Sequence, residues 1–170
     1  SLGKHLLVGF SDQTTLRVHL GMKGTIHRYA PGERWHRPFS TMGWLLGVDG
    51  HDIVGFYPKA LERFANKDMG RVPALAGLGP DLLKDPLDLD VVVERYRKLV
   101  APAEAIGIGL LDQRPACGIG NIYRCEALFV CRTSPYLPSA DVDDEHLRQL
   151  YRTAKDLLRA NVEDTNVFPR

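Results

Sequence analysis

The period of the hydrophobic pattern changes near residue 72, and this change constrains the fold more than any other feature of the sequence. Before it, "KHLLVGF", "TTLRVHL" and "GTIHRY" within residues 4–29 alternate apolar and polar residues and are rich in β-branched ones. Gly9, Ser11-Asp12-Gln13, Gly21 and Gly24 punctuate them, so the stretch reads as a meander of strands. "MGWLLGVDGHDIVGFY" (42–57) reads as a hairpin turning at Asp49-Gly50, a pair suited to positive φ. "APGERWHRP" between them is a loop. After the Gly/Pro-rich "ALAGLGPDLL" the spacing becomes helical. Val92, Val93, Tyr96, Leu99 and Val100 recur behind a cap at Asp88 or Asp90. Ala105, Ile108 and Leu111, with Leu110, give a second helix, and Ile122 to Val130 a third. Leu147, Leu150, Tyr151, Ala154, Leu157 and Leu158 form the clearest stripe, preceded by the acidic "DVDDE" that suits a helix N-terminus. The chain is therefore α+β, with a β-rich part to about residue 72 and an all-α part after it.

The 170 residues suffice for one ample domain or two small ones. The 44% hydrophobic and 25% charged shares are those of an ordinary globular protein. No apolar run approaches the roughly 20 residues of a membrane span, and no signal-peptide layout opens the chain. A cytoplasmic protein without membrane partners is expected. The chain opens Ser-Leu-Gly-Lys, without Met, directly into a strand pattern, which reads as an internal start. Cys117, Cys125 and Cys131 are odd in number and lack a C-x-x-C spacing, so they read as reduced, mostly buried thiols rather than disulfides or zinc ligands.

The net charge of +1 conceals an asymmetry. Residues 1–40 carry Lys4, Arg17, Lys23, Arg28, Arg34 and Arg37 against Asp12 and Glu33, a net of +4 that leaves −3 for the rest. Such a segment is either a solvated basic face or a local polyanion site.

One stretch of the helical part carries chemistry. In "LLDQRPACGIGNIYRCEALF" (110–129) an apolar run breaks at Pro115, Gly118 and Gly120 and resumes at once. Each glycine costs about 1 kcal/mol in a helix, so the chain turns here. Successive N–H groups in such a turn can form a concave nest, and the next helix adds the positive end of its dipole. The pattern suits a phosphate, with Asn121 as a further donor and Arg114 and Arg124 nearby. A plain helix hairpin using glycines for close packing is the alternative on spacing alone.

The same stretch resembles the helix-two-turn-helix of the formamidopyrimidine-DNA glycosylase/endonuclease VIII family. The matching residues are Leu110 to Gln113, Gly118-Ile119-Gly120-Asn121-Ile122-Tyr123 and Glu126. "GKHLL" (3–7) and "HLGMKG" (19–24) resemble the family's Gly-Lys strand and His-Leu-Gly-Met turn, in the right order. "GLGPDLL" (77–83) sits where the family's linker enters its helical domain. The resemblance implies a partial N-terminal antiparallel β-sandwich over residues 1–72, a linker over 73–87 and a helix-two-turn-helix domain over 88–170.

It also implies function. Family members flip a damaged base out of duplex DNA, remove it and cut at the abasic site through an N-terminal proline amine assisted by the adjacent glutamate. No Pro-Glu pair occurs in this sequence, and the family's C-terminal zinc finger is not in it either. No metal or cofactor is therefore expected within this chain; zinc would bind beyond its C-terminus. Lys4 matches the lysine at the lesion phosphate, implicated in glycosylase chemistry, and His19 and Asn121 match phosphate contacts. Met22 matches the wedge that fills the void of the flipped base, with Lys23 beside it. Gly118 and Gly120 form the backbone of the turn, Arg124 is counted with its DNA contacts, and Glu126 is expected to bond inward and brace it. "FSDQTTL" (10–16) and the Tyr-Arg-x-Glu at 123–126 look closer to the endonuclease VIII branch, which prefers oxidised pyrimidines. The implied partner is double-stranded DNA with a damaged base or abasic site, bound by a monomer, at the nucleoid if bacterial. A non-catalytic paralogue that binds damaged DNA is the competing reading.

Overall fold

The computed structural model describes residues 1–163. The chain divides into two compact units, one running Gly3–Met69 and the other from Gly70 onward.

The first unit holds six strands: β1 (Leu6–Gly9), β2 (Thr14–His19), β3 (Thr25–Tyr29), β4 (Met42–Val48), β5 (His51–Phe56) and β6 (Ala60–Ala65). They form two three-stranded antiparallel sheets, ordered β1-β2-β6 and β3-β5-β4. The expected meander therefore stops after β2. The turn through Gly21 and Gly24 sends β3 into the second sheet, and β2 takes β6 as its other neighbour. The β4–β5 hairpin turns at Asp49 (φ 49°) and Gly50 (φ 73°), as the Asp-Gly pair requires. Tyr29, Val54 and Phe56 are buried together, with Trp35 and Met42 against them. Trp44 stands opposite Gly55, and a Cβ on that glycine would meet the indole Nε1 at 2.0 Å, so the ring lies across the position left free.

The second unit contains α1 (Pro73–Ala76), α2 (Leu89–Leu99), α3 (Ile106–Gly109), α4 (Asn121–Val130) and α5 (Asp144–Glu163). Asp88 caps α2, its carboxylate accepting from the N–H groups of Asp90 and Val91. The expected helix around Ile108 shrinks to the single turn of α3, because Gly107 and Gly109 inside it have little helical preference. The apolar stripes of α2, α4 and α5 meet in one core that includes Val92, Tyr96, Ile119, Leu128, Leu147 and Tyr151. Tyr96 shares a 2.7 Å hydrogen bond with Ser139 inside it. Arg97 fastens the entry to α5, donating to Ser139 O at 2.7 Å and to the Asp144 carboxylate at 2.9 Å.

The residues before α2 run alongside the turn that precedes α4. Gly79 N–H donates to Gln113 O, Cys117 N–H to Pro80 O and Leu82 N–H to Cys117 O, at 2.8–3.1 Å. A Cβ at position 79 would lie 2.4 Å from Arg114 O, so only glycine permits this approach. Of the three thiols, Cys117 is buried and Cys131 half-buried, but Cys125 is exposed, against the expectation of mostly buried thiols.

Candidate nucleic-acid interface

The first sub-site lies on the β unit. Alternation along β2 puts Thr15, Arg17 and His19 on one face, and the antiparallel register sets Arg17 opposite both Leu7 and Glu62. Arg17 is 7% exposed; its guanidinium pairs with Glu62 at 3.0 Å and donates to Nδ1 of His5 at 3.1 Å. The rings of His5 and His19 lie 5.0 Å apart. Lys59 enters this group just before β6, its N–H donating to His19 O at 2.8 Å. Lys4 and Lys59 are exposed.

This crowding of cations shows in the titration of the two histidines. Burial first, then His19, Arg17 and Lys4, lower the pKa of His5 to about 4. His19 is lowered by burial and then by Lys59, Lys4 and Arg17. Both rings are neutral at pH 7 inside a strongly positive neighbourhood, which favours an anion.

At the end of β2 the chain turns through Leu20 to Gly24, closed by Gly24 N–H on Leu20 O at 3.1 Å. Met22 is 103% exposed at its tip, and Lys23 is exposed beside it. A methionine with its whole thioether in water contributes nothing to the core of this unit.

The second sub-site lies on the helical unit, at the turn before α4. Gln113 braces it. Its Nε2 donates to Leu111 O at 2.6 Å and Ile119 O at 3.0 Å, and its Oε1 accepts from Gly118 N–H at 3.1 Å. Gly118 has φ +124°, a conformation essentially restricted to glycine. Gly120 occupies the N-cap of α4 without any side-chain cap. The first N–H groups of the helix therefore lack acceptors within it, and the positive end of the helix dipole faces outward. Asn121 is exposed there, and its side chain makes no hydrogen bond among the described residues.

The arginines near this turn are already engaged. Arg114 forms a bidentate pair with Asp112, which holds that carboxyl below its ordinary value. Arg124 is half-buried, with Nη1 donating to Gly107 O at 3.4 Å and Nε buried without a hydrogen-bond partner among the described residues. It points back toward α3, which leaves the backbone N–H groups and the Asn121 side chain as the open donors at this turn. Glu126, expected to bond inward, is exposed and has no hydrogen bond or ion pair among the described residues. The bracing falls to Gln113 instead. Gln113 lies within the matched motif, yet nothing in the motif gives it this role. Sequence order does not reveal His5, Arg17 and Lys59 as a group, because only the β1-β2-β6 pairing gathers them. Among the described residues no three His, Cys, Asp or Glu side chains gather in a metal-binding arrangement. No helix among them is long and apolar enough to cross a membrane.

An antiparallel β unit with a cationic turn, followed by helices joined through a glycine nest, defines an α+β helix-two-turn-helix protein. The chain belongs to the formamidopyrimidine-DNA glycosylase/endonuclease VIII family: the family described as formamidopyrimidine-DNA glycosylase H2TH domain matches residues 78–168. A probable endonuclease 8 of Streptomyces coelicolor is 35% identical over 160 residues, which cover 94% of this chain and 56% of that protein. A formamidopyrimidine-DNA glycosylase of Thermus thermophilus is 32% identical over 164 residues, 95% of this chain and 57% of its own length. The chain thus spans little more than half the length of these relatives. The crystal structure of the MutM (Fpg) protein of Thermus thermophilus superposes with a TM-score of 0.78 at 30% identity, covering 96% of this chain and 58% of that one. Lactococcus lactis Fpg non-covalently bound to DNA containing an AP site gives a TM-score of 0.79 at 18% identity, covering 95% and 61%, a likeness of fold.

Proposed function

We propose that this chain is the DNA-engaging core of a base-excision-repair glycosylase and abasic lyase that acts on duplex DNA. The observation that carries this reading is Met22, fully exposed at the tip of a turn that carries Lys23 and that leaves β2 at the Lys4, His5, His19 and Lys59 cluster. An apolar wedge beside phosphate-binding cations is what an enzyme needs to hold a duplex open once a nucleotide has left the stack.

In this reading Lys4 and His19 take phosphates on the β unit. Asn121 and the first N–H groups of α4 take another on the helical unit, with Gly118 and Gly120 shaping the cradle. Such contacts fix position without reading sequence, as suits a search over all DNA. Met22 fills the gap and Lys23 assists it electrostatically. Arg124 acts through the packing of α4 on α3. The 170 residues hold no Pro-Glu pair, so this stretch binds and deforms the duplex, and the covalent step belongs to residues outside it. Oxidised pyrimidines are the favoured lesions; the Streptomyces coelicolor relative, named a probable endonuclease 8, supports that branch.

The test is binding at matched salt to a duplex carrying a stable abasic analogue and to the same duplex intact. Tighter binding to the analogue is expected. Equal affinity for the two duplexes would overturn the proposal.

A further inference from the structure

The loop between β3 and β4 has no part in that reading, yet it carries the most exposed aromatic stack of the β unit. Trp35 and Phe39 form an offset stack, with ring centroids 5.8 Å apart and planes at 9°. Trp35 is anchored below, edge-on to the buried Phe56 at 6.0 Å and beside Tyr29 at 6.2 Å. Phe39 forms the outer layer and is 71% exposed. A single exposed phenylalanine means little. Here the ring is the top of a ladder rooted in the core.

The loop is also fixed before anything binds. Glu33 turns its carboxylate onto Ala30 N–H at 2.8 Å, and its own N–H donates to Ala30 O at 3.0 Å. Tyr29 OH accepts from His36 N–H at 3.2 Å, and Pro38 O accepts from Thr41 N–H at 3.0 Å and Thr41 Oγ1 at 2.7 Å. With its one carboxylate so used, the loop presents Arg34 and Arg37, both exposed and without partners among the described residues. A stiff aromatic face on the same short loop as two free guanidiniums combines a stacking surface with phosphate-binding charge at a small ordering cost.

We propose that the Trp35–Phe39 loop is a second nucleic-acid site, a stacking platform for an unpaired base of single-stranded DNA whose phosphates are held by Arg34 and Arg37. The charge selects a polyanion, and the exposed flat ring selects one that carries free bases. Duplex DNA, with its bases already stacked, has nothing to place on Phe39. The proposal does not rest on the lesion-binding reading.

The experiment measures anisotropy of a labelled dT oligonucleotide with the wild-type chain and with F39A, F39Y and R34Q/R37Q. Thermal melts of each variant confirm an intact fold, which the exposure of these side chains favours. The F39A substitution should weaken binding at least about fivefold at constant salt, since stacking contributes about 1–3 kcal/mol per base. The F39Y variant should restore it, and R34Q/R37Q should lower the salt slope. Oligo-rU serves as the arm that separates DNA from RNA, and heparin the arm that isolates charge. If F39A binds dT as wild type does, or if heparin competes fully while F39A has no effect, the loop is a plain basic patch and the proposal falls. Tighter binding of rU than dT would overturn the assignment to DNA. Duplex binding measured on the same variants keeps the two readings apart: lesion preference can fail while the dT result stands, and the reverse.

Discussion

Arg17 donates from Nη1 to Nδ1 of His5 at 3.1 Å while its Nε is held by Glu62 at 3.1 Å. A guanidinium has no acceptor, so the lone pair belongs to His5 Nδ1 and the ring proton must sit on Nε2. The contact therefore fixes one neutral tautomer of His5. Protonating Nδ1 would break that bond and add a cation beside Arg17, Lys4 and His19.

A pH dependence follows from this pair. The unfolded chain takes up a proton at His5 near 6.5, whereas the folded chain resists until about 4. Between those values the unfolded state holds more protons, so stability falls as pH falls through this window and is fully present above it. Thermal melts from pH 7 to pH 4 should show the loss, and H5Q should flatten part of it. His19 shifts in the same direction and keeps the remainder. An identical pH slope in H5Q and wild type would mean that burial and the neighbouring cations do not hold the His5 ring neutral.

The brace at the helix-two-turn-helix gives a prediction about stability. In Q113A the Gly118 N–H and the carbonyls of Leu111 and Ile119 lose their partner inside a partly buried turn. A loss of about 1–3 kcal/mol is expected, read as a lowered midpoint in urea. The Q113E variant keeps the acceptor for Gly118 but sets a carboxylate oxygen against the two carbonyls, so it should fall below Q113A. A Q113A midpoint equal to wild type would mean that the turn holds its shape without this side chain.

Much of the local structure around this site was legible in the sequence, and the exceptions share a cause. The Asp49-Gly50 turn, the Asp88 cap and the break at Gly118 are local, and local chemistry decides them. The partnership of β2 with β6 is not local: Arg17 meets Glu62 across 45 positions, and no short-range pattern announces it. The same holds for β3, whose turn could lead to either sheet. Arg124 escapes a sequence reading for another reason. A position on a helix tells which residues are near in sequence, and the guanidinium bends back to Gly107 because α3 offers it a carbonyl. The family resemblance points to Met22 and Asn121; their exposure adds that neither is needed by the fold.

Met22 and the phosphate-binding residues should separate in binding experiments. The M22A variant touches no core contact, so its stability should stay within about 0.5 kcal/mol of wild type. Its preference for abasic-analogue duplex over intact duplex should shrink. The K4A and N121A variants should both weaken binding to both duplexes; K4A should also lower the salt slope by about 0.9 for the phosphate no longer neutralised, whereas N121A, which loses a neutral donor, should leave the slope unchanged. A salt slope unchanged in K4A would count against phosphate binding by Lys4, an affinity unchanged in N121A would count against it at Asn121, and an equal loss in M22A on both duplexes would remove the wedge.

The two glycines of the nest make different demands. At Gly118, with φ +124°, an added Cβ would find ordinary contacts with Leu158 at 3.6 Å and Leu82 at 3.8 Å, so the obstacle is the backbone conformation itself. The G118A variant should lose of order 1–3 kcal/mol for that reason. Gly120 sits at φ −108°, ψ −176°, which any residue adopts, and a Cβ there would meet nothing within 4 Å. The G120A variant should fold as wild type. If the open space at the N-terminus of α4 is where a phosphate settles, the added methyl intrudes on it, and G120A should weaken duplex binding without moving the melting midpoint. Unfolding midpoints and duplex affinities for the two variants decide the matter. A stable G120A that binds as tightly as wild type would place the anion elsewhere than over this helix terminus.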